Sequence, residues 1–305
     1  MVIIRQISNY SKMSIRNLLT IYLLIIQSLM YGQQYSFYGV LKLHDRNEEA
    51  ISYRLEFTEK NGVISGYSLT DIAGPHETKN RIDGNYNSKT RTLTFREKEI
   101  IYTKSPLSES IFCFVTYTGK VKLGSSRSKL EGPFSGKFRN NQKCIDGTIT
   151  LIGSKTVEKL IAKASRAVEK SDKLDQQTKE KYNPERVFDS LTTNTLNSSE
   201  NIHIFNSSSK VTFRIWDKGF EDGDIINLYH NQEVLLSDFK VTKAIKILEV
   251  TLTDGPNVFE IEAVNEGLAP PNTAMIILEG DEPIEFQSNL RKGHKTKVTY
   301  LKPKL

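Results

Sequence analysis

Residues 51–69 read ISYRLEFTEKNGVISGYSL, and two features of this stretch decide the fold class. Ile51, Tyr53, Leu55 and Phe57 alternate with Ser52, Arg54, Glu56 and Thr58, the period of a strand with one apolar face. Asn61-Gly62 then separates this run from the next, and such a pair favours a two-residue hairpin because both positions accept positive φ. The same rhythm extends outward from Tyr35 to Ile152. It predicts strands over residues 35–43, 51–58, 63–69, 78–86, 91–96, 111–121, 130–138 and 145–152. Short strands with tight connections predict an antiparallel meander or small β-barrel. Glycines beside aromatics, as at Gly66-Tyr67 and Gly136-Lys137-Phe138, allow the sharp coiling that closure requires.

This rhythm loosely resembles that of lipocalin and avidin barrels, a resemblance that carries over no binding residue. Residues 154–199 differ in character. Val157, Leu160, Ile161, Ala164 and Val168 keep helical spacing, Asn183-Pro184 stops that helix or starts another, and the Ser/Thr/Asn-rich residues 192–199 predict a flexible tether. Alternation returns over 203–205, 210–216, 224–229, 233–236, 245–253, 257–265, 273–279, 285–290 and 297–301, which predicts a β-sandwich of immunoglobulin-like build. The stretches VTFRIWDKGFEDGDIINLYHNQEVLL (211–236) and NVFEIEAVNEGLAPPNTAMIIL (257–278) resemble a module of uncharacterised exported bacterial proteins. That resemblance implies an envelope or secreted location and a β-sandwich, and brings no activity. The expected organisation is a signal peptide over 1–32, a barrel or meander over 33–153, a helical and flexible linker over 154–199, and a sandwich over 200–305.

The leader reading rests on Lys12 and Arg16 followed by the apolar run 18–26, too short for the roughly 20 residues of a spanning helix. No later segment is apolar enough to span, so no membrane span is expected once the leader is removed. The formal charge of +6 points at first to nucleic acid. Arg5, Lys12 and Arg16 lie in the leader, and residues 200–290 carry 6 basic against 16 acidic side chains, a poor platform for phosphate. No nucleic-acid partner is expected.

Cys113 and Cys144 are the two cysteines, and an oxidising compartment favours their pairing as a disulfide. Strict alternation opposes it, since Cys113 is in phase with Ile111, Val115 and Tyr117 while Cys144 is out of phase with Ile149 and Leu151. The densest polar constellation is Asp217-Lys218-Gly219-Phe220-Glu221-Asp222-Gly223-Asp224. Asp217, Glu221, Asp222 and Asp224, completed by Asn265 and Glu266, form a candidate oxygen shell for calcium; Asp-Gly pairs also simply build turns. The five histidines are scattered, so a zinc site is not expected, and no nucleophile elbow, phosphate loop or dinucleotide fingerprint occurs. Glu97 and Glu99 read as a solvated strand face, and Trp216 as a core residue or, less simply, a sugar-stacking platform. No catalytic residue or bound cofactor other than calcium is therefore expected. The leading expectation is a non-enzymatic exported or envelope protein whose sandwich binds a surface glycan or an envelope protein. The alternatives are a small-ligand carrier using the barrel interior and a hydrolase with dispersed residues.

Overall fold

The computed structural model describes residues 32–44, 49–106 and 108–301. The predicted leader, apart from Gly32, lies outside them. The alternating runs form β1 Gln33–Leu43, β2 Ala50–Lys60, β3 Val63–Thr70, β4 Thr78–Asn87, β5 Thr92–Thr103, β6 Phe114–Lys120, β7 Lys129–Lys137 and β8 Lys143–Gly153. Each strand pairs antiparallel with the next and β8 returns to β1, which closes an eight-stranded up-and-down barrel. Phe37, Tyr53, Leu55, Phe57, Phe95, Tyr117 and Leu151 are among the buried side chains of its interior cluster. A barrel of this size is narrow enough to be filled in this way. At Gly66 a Cβ would lie 2.0 Å from the Glu56 carbonyl oxygen, so only glycine lets β3 approach β2 there.

Cys113 and Cys144 form a disulfide, with Cα atoms 6.1 Å apart. The alternation argument against it fails at both ends. A 3-10 turn occupies Glu109–Ile111 and β6 begins only at Phe114, so Cys113 precedes the strand. Across β7 and β8, Ser135 faces Asp146 while Lys137 faces Lys143, and this bulge resets the phase of Cys144 relative to Ile149. Gly136 makes room for the bridge, since a Cβ there would lie 2.4 Å from the Cys113 Sγ. Closing a 31-residue loop contributes roughly 3–4 kcal/mol on the chain-entropy argument.

Three helices follow β8: α1 Ser154–Glu169, α2 Gln176–Lys181 and α3 Pro184–Thr192. Asn183 starts α3, its Oδ1 accepting from the Glu185 amide at 2.9 Å with Pro184 at the first helical position. Helices α1 and α3 pack together, α1 lies on β1 and β8, and Phe188 meets the Tyr38 ring edge-on at 5.3 Å. The tether expected over 192–199 is instead ordered at β9 Thr195–Asn197, because Leu196 is wholly buried in the following core.

The remaining strands are β10 Asn201–Phe205, β11 Lys210–Trp216, β12 Ile225–His230, β13 Glu233–Lys240, β14 Lys246–Thr251, β15 Asn257–Ala263, β16 Asn272–Glu279, β17 Pro283–Leu290 and β18 Lys295–Leu301. They build a sandwich whose layers run β13-β12-β15-β18-β10 and β14-β11-β16-β17-β9. Its core holds Val211, Phe213, Ile215, Phe259, Ile276 and Phe286, with the Phe213 and Phe259 rings 4.7 Å apart. Trp216 ends β11 on the opposite face from Phe213 and Ile215 and is half-buried, which corrects the core expectation for it.

Barrel and sandwich share a strand. The first half of β5 closes the barrel against β6, while Tyr102 and Thr103 at its end pair with Ile204 and His203 of β10. Leu69, Ile101 and Tyr102 belong to the buried cluster of the sandwich. The buried Lys104 donates to the Thr195 carbonyl at 2.7 Å and lies 3.3 Å from Glu200, and Arg81 bridges Glu99 of β5 to Glu282. Among the described residues no helix is long and apolar enough to cross a membrane.

Candidate functional site

The acidic stretch forms the loop between β11 and β12, and each of its carboxylates takes a separate backbone amide. Asp217 Oδ1 accepts from Gly219 N at 2.7 Å, Glu221 Oε1 from Lys243 N at 2.5 Å, Asp222 Oδ2 from Ala269 N at 2.9 Å and Asp224 Oδ2 from Thr273 N at 2.7 Å. Asn265 joins Ile225 N and Gly223 O, both at 2.8 Å, while Glu266 accepts from Lys292 N at 2.9 Å. Among the described residues no group of three or more His, Cys, Asp or Glu is arranged to hold a metal. Each of the six candidate calcium ligands thus staples a turn or joins two loops, with an oxygen accepting from a backbone amide.

The staples have a consequence at the surface. Glu221 ties the β11–β12 loop to the β13–β14 loop, and Asp222 ties it to the β15–β16 loop, where the Asp222 carbonyl also accepts from Leu268 N at 3.0 Å. These three loops carry Phe220 (79% exposed), Ile245 (53%) and Leu268 (85%). Single exposed apolar residues are ordinary. These three stand on loops that the staples hold to one another at one end of the sandwich.

Asp224 sits beneath this end. It is 1% exposed, and its Oδ1 has no partner among the described residues. Burial pushes its carboxyl up to about 6, reinforced by Asp222 and Asp217 and opposed by the Thr273 amide. From the ordinary value of 3.8 to about 6, the folded chain holds this proton more tightly than the unfolded one. Stability therefore falls as pH rises through that window. In Asp224→Asn, which retains an acceptor for Thr273, this loss disappears. Urea midpoints at pH 4 and pH 7 are expected to shift in the variant's favour towards pH 7; an equal offset at both rejects the assignment.

A second site is a cleft of about 470 Å³ between barrel and sandwich. The barrel contributes Arg54, Tyr67, Glu77, Lys79 and Tyr102, and the other wall contributes Asn194, Lys218, Met275, Glu285 and Phe286. Most of its polar groups are paired. Glu56 accepts from Arg54 and from the Tyr67 hydroxyl, while the buried Glu77 accepts from Tyr102 at 3.1 Å and from Ala73 N at 2.7 Å. Lys79 is different. Its ammonium lies 3.8 Å from the Tyr67 ring centroid, and burial lowers its pKa against the raising influence of Glu282, Glu56 and Glu77.

The barrel interior holds one carboxylate that the solvated-face expectation misplaced. Glu97 is buried and accepts from Tyr53 OH at 2.8 Å, Ser68 Oγ and Val115 N at 2.7 Å. The β4–β5 bulge between Arg81 and Ile82 separates Glu97 from Glu99, turning the first inward with Leu93 and Phe95 and leaving the second exposed. Burial raises the Glu97 pKa, and its donors pull it back.

One further pair was invisible in the sequence. Ser198 Oγ lies 2.8 Å from His294 Nδ1 in an open depression with Glu266 and Arg291. Among the described residues no carboxylate bonds the other ring nitrogen, so the imidazole lacks the third group that orients a catalytic base. No protein family, curated protein or solved structure matches this chain.

Proposed function

We propose that this is an exported, non-enzymatic envelope protein whose sandwich docks another envelope protein through the Phe220, Ile245 and Leu268 loops. The observation that carries this reading is that three exposed apolar side chains stand on loops stapled to one another by Glu221 and Asp222. Apolar tips of this kind favour a protein partner over a surface glycan, whose hydroxyls call for polar and stacking groups. The apolar run at residues 18–26 and the Cys113–Cys144 bridge support export to an oxidising compartment. The packed barrel interior leaves the carrier alternative without support, since a carried ligand needs an internal cavity.

The test is site-specific photo-crosslinking in intact cells expressing the full chain. Probes at Phe220 and at Leu268 are expected to capture the same discrete protein species, and a probe at Lys89, on the turn between β4 and β5, to capture none. In the Phe220 probe, adding Leu268→Asp removes the product. Equal labelling from all three positions, or retention of polysaccharide in place of protein, overturns the reading.

A further inference from the structure

We infer that two copies of this chain associate by pairing their β14 strands antiparallel about a two-fold axis at Leu248, which joins their five-stranded layers into one continuous sheet. Strand β14 ends its layer and, among the described residues, pairs with β11 alone. The Leu252 amide donates to the Ser209 carbonyl at 2.8 Å, and the register continues unbroken from Thr251 to Lys246. Backbone groups along an antiparallel strand point to alternate sides, so Lys246, Leu248 and Val250 bond β11. Ile247, Glu249 and Thr251 turn their N–H and C=O groups outward, and none of these has a partner among the described residues.

Folded proteins blunt such edges with short strands, bulges or a covering element. The other ends of the two layers are treated in these ways. β10 is covered by β5, β9 has only three residues, and β13 carries two register shifts against β12 and Asp238 at φ 47°. β14 is regular throughout, and Ile247 stands 55% exposed within it. A second copy is the occupant because this strand complements itself. Two-fold pairing sets each residue against one equally far from the centre. Centred on Lys246 or Glu249, it sets like charges directly opposite, which is destabilising. Centred on Ile247 or Val250, it engages one half of the strand. Centred on Leu248, it engages residues 246–250, opposes no like charges directly, and sets the outward groups of Ile247 against those of Glu249. Each such pair exchanges two hydrogen bonds, so the open groups of both copies are answered together. Glu249 keeps its partner Lys210 at 2.6 Å, and the half-buried Leu248 meets its counterpart at the margin of the sandwich core.

Sedimentation equilibrium on the intact protein over a concentration series tests this. The mass is expected to rise with concentration from one chain to two and to stop there, because pairing leaves no open β14 edge. Glu249→Pro removes an outward N–H without touching the β11 ladder and should weaken association about tenfold or more. Glu249→Ala keeps that N–H and should stay within about threefold of wild type. Ile247→Glu, at an exposed position where folding is not at stake, sets carboxylates opposite each other and should weaken association about tenfold; adding Glu249→Lys to it should restore association. With the native cysteines already bridged, Leu248→Cys should form an intermolecular disulfide under a mild oxidant. Thr251→Cys should not, since its two copies stand about six residues, roughly 20 Å, apart along the ladder. Phe220→Ala, which affects the loop tip, should leave the mass unchanged, so failure here is distinct from failure of the docking reading. A single-chain mass at every concentration leaves the edge to another protein or to none and overturns the inference. So do growth beyond two chains, loss of association in Glu249→Ala, wild-type association in both Glu249→Pro and Ile247→Glu, or no rescue by Glu249→Lys.

Discussion

Glu97→Ala is expected to destabilise the barrel by about 3 kcal/mol, more than removal of most surface side chains, although it deletes a group whose own burial is unfavourable. Two opposing quantities set the figure. The substitution orphans Tyr53 OH, Ser68 Oγ and Val115 N in an interior with little room for water, at roughly 1–3 kcal/mol each. It also relieves the desolvation that raises the Glu97 pKa, which offsets part of that loss. Glu97→Gln keeps one carbonyl acceptor and is expected to cost about half as much. The pH dependence separates the two contributions. A carboxyl whose pKa is raised on folding binds its proton more tightly in the folded state, so its contribution to stability falls as pH rises above the ordinary carboxylate value. Denaturant unfolding should therefore show the gap between wild type and Glu97→Gln narrowing from pH 4 to pH 8. A gap that widens, or an alanine variant as stable as wild type, would reject the network as an organiser of the barrel.

Most strands were legible because alternation is a direct record of which face is buried. All eight barrel strands were anticipated, and the sandwich strand β11 was bounded to the residue. The failures occur where alternation breaks. Strand β5 reads as ending near Arg96, yet continues to Thr103, because two bulges against β4 put Glu97, Ile100 and Ile101 out of a single phase. Strand β9 contains one apolar residue, Leu196, in a run that otherwise reads as tether. Strict alternation opposes the disulfide for the same reason, since a phase argument holds only along an unbroken strand. The candidate sites were less legible still. Phe220 and Leu268 stand in loop sequences, and what ties those loops together is Asp222 bonding the second of them. Lys79, Asn194 and Lys218 lie far apart in sequence and have no mutual spacing to recognise. A site made by docking two units has no linear signature.

Tyr102→Ala is expected to cost about 4 kcal/mol and to divide one cooperative unfolding transition into two. The phenol ring is buried in the sandwich cluster although its backbone belongs to a barrel strand, so the substitution leaves a cavity in one unit from a residue of the other. Its hydroxyl also donates to Glu77, a buried carboxylate that would then retain the Ala73 amide. The backbone ladder cannot compensate, because β5 and β10 share only two residue pairs. Side-chain burial at Leu69, Ile101 and Tyr102 must therefore supply most of the coupling. Calorimetry is expected to show one transition for wild type and for Tyr102→Phe, the latter losing about 1 kcal/mol with the hydroxyl, and two for Tyr102→Ala. A single shifted transition in the alanine variant would place the coupling in the polar bridges of Arg81 and Lys104 instead.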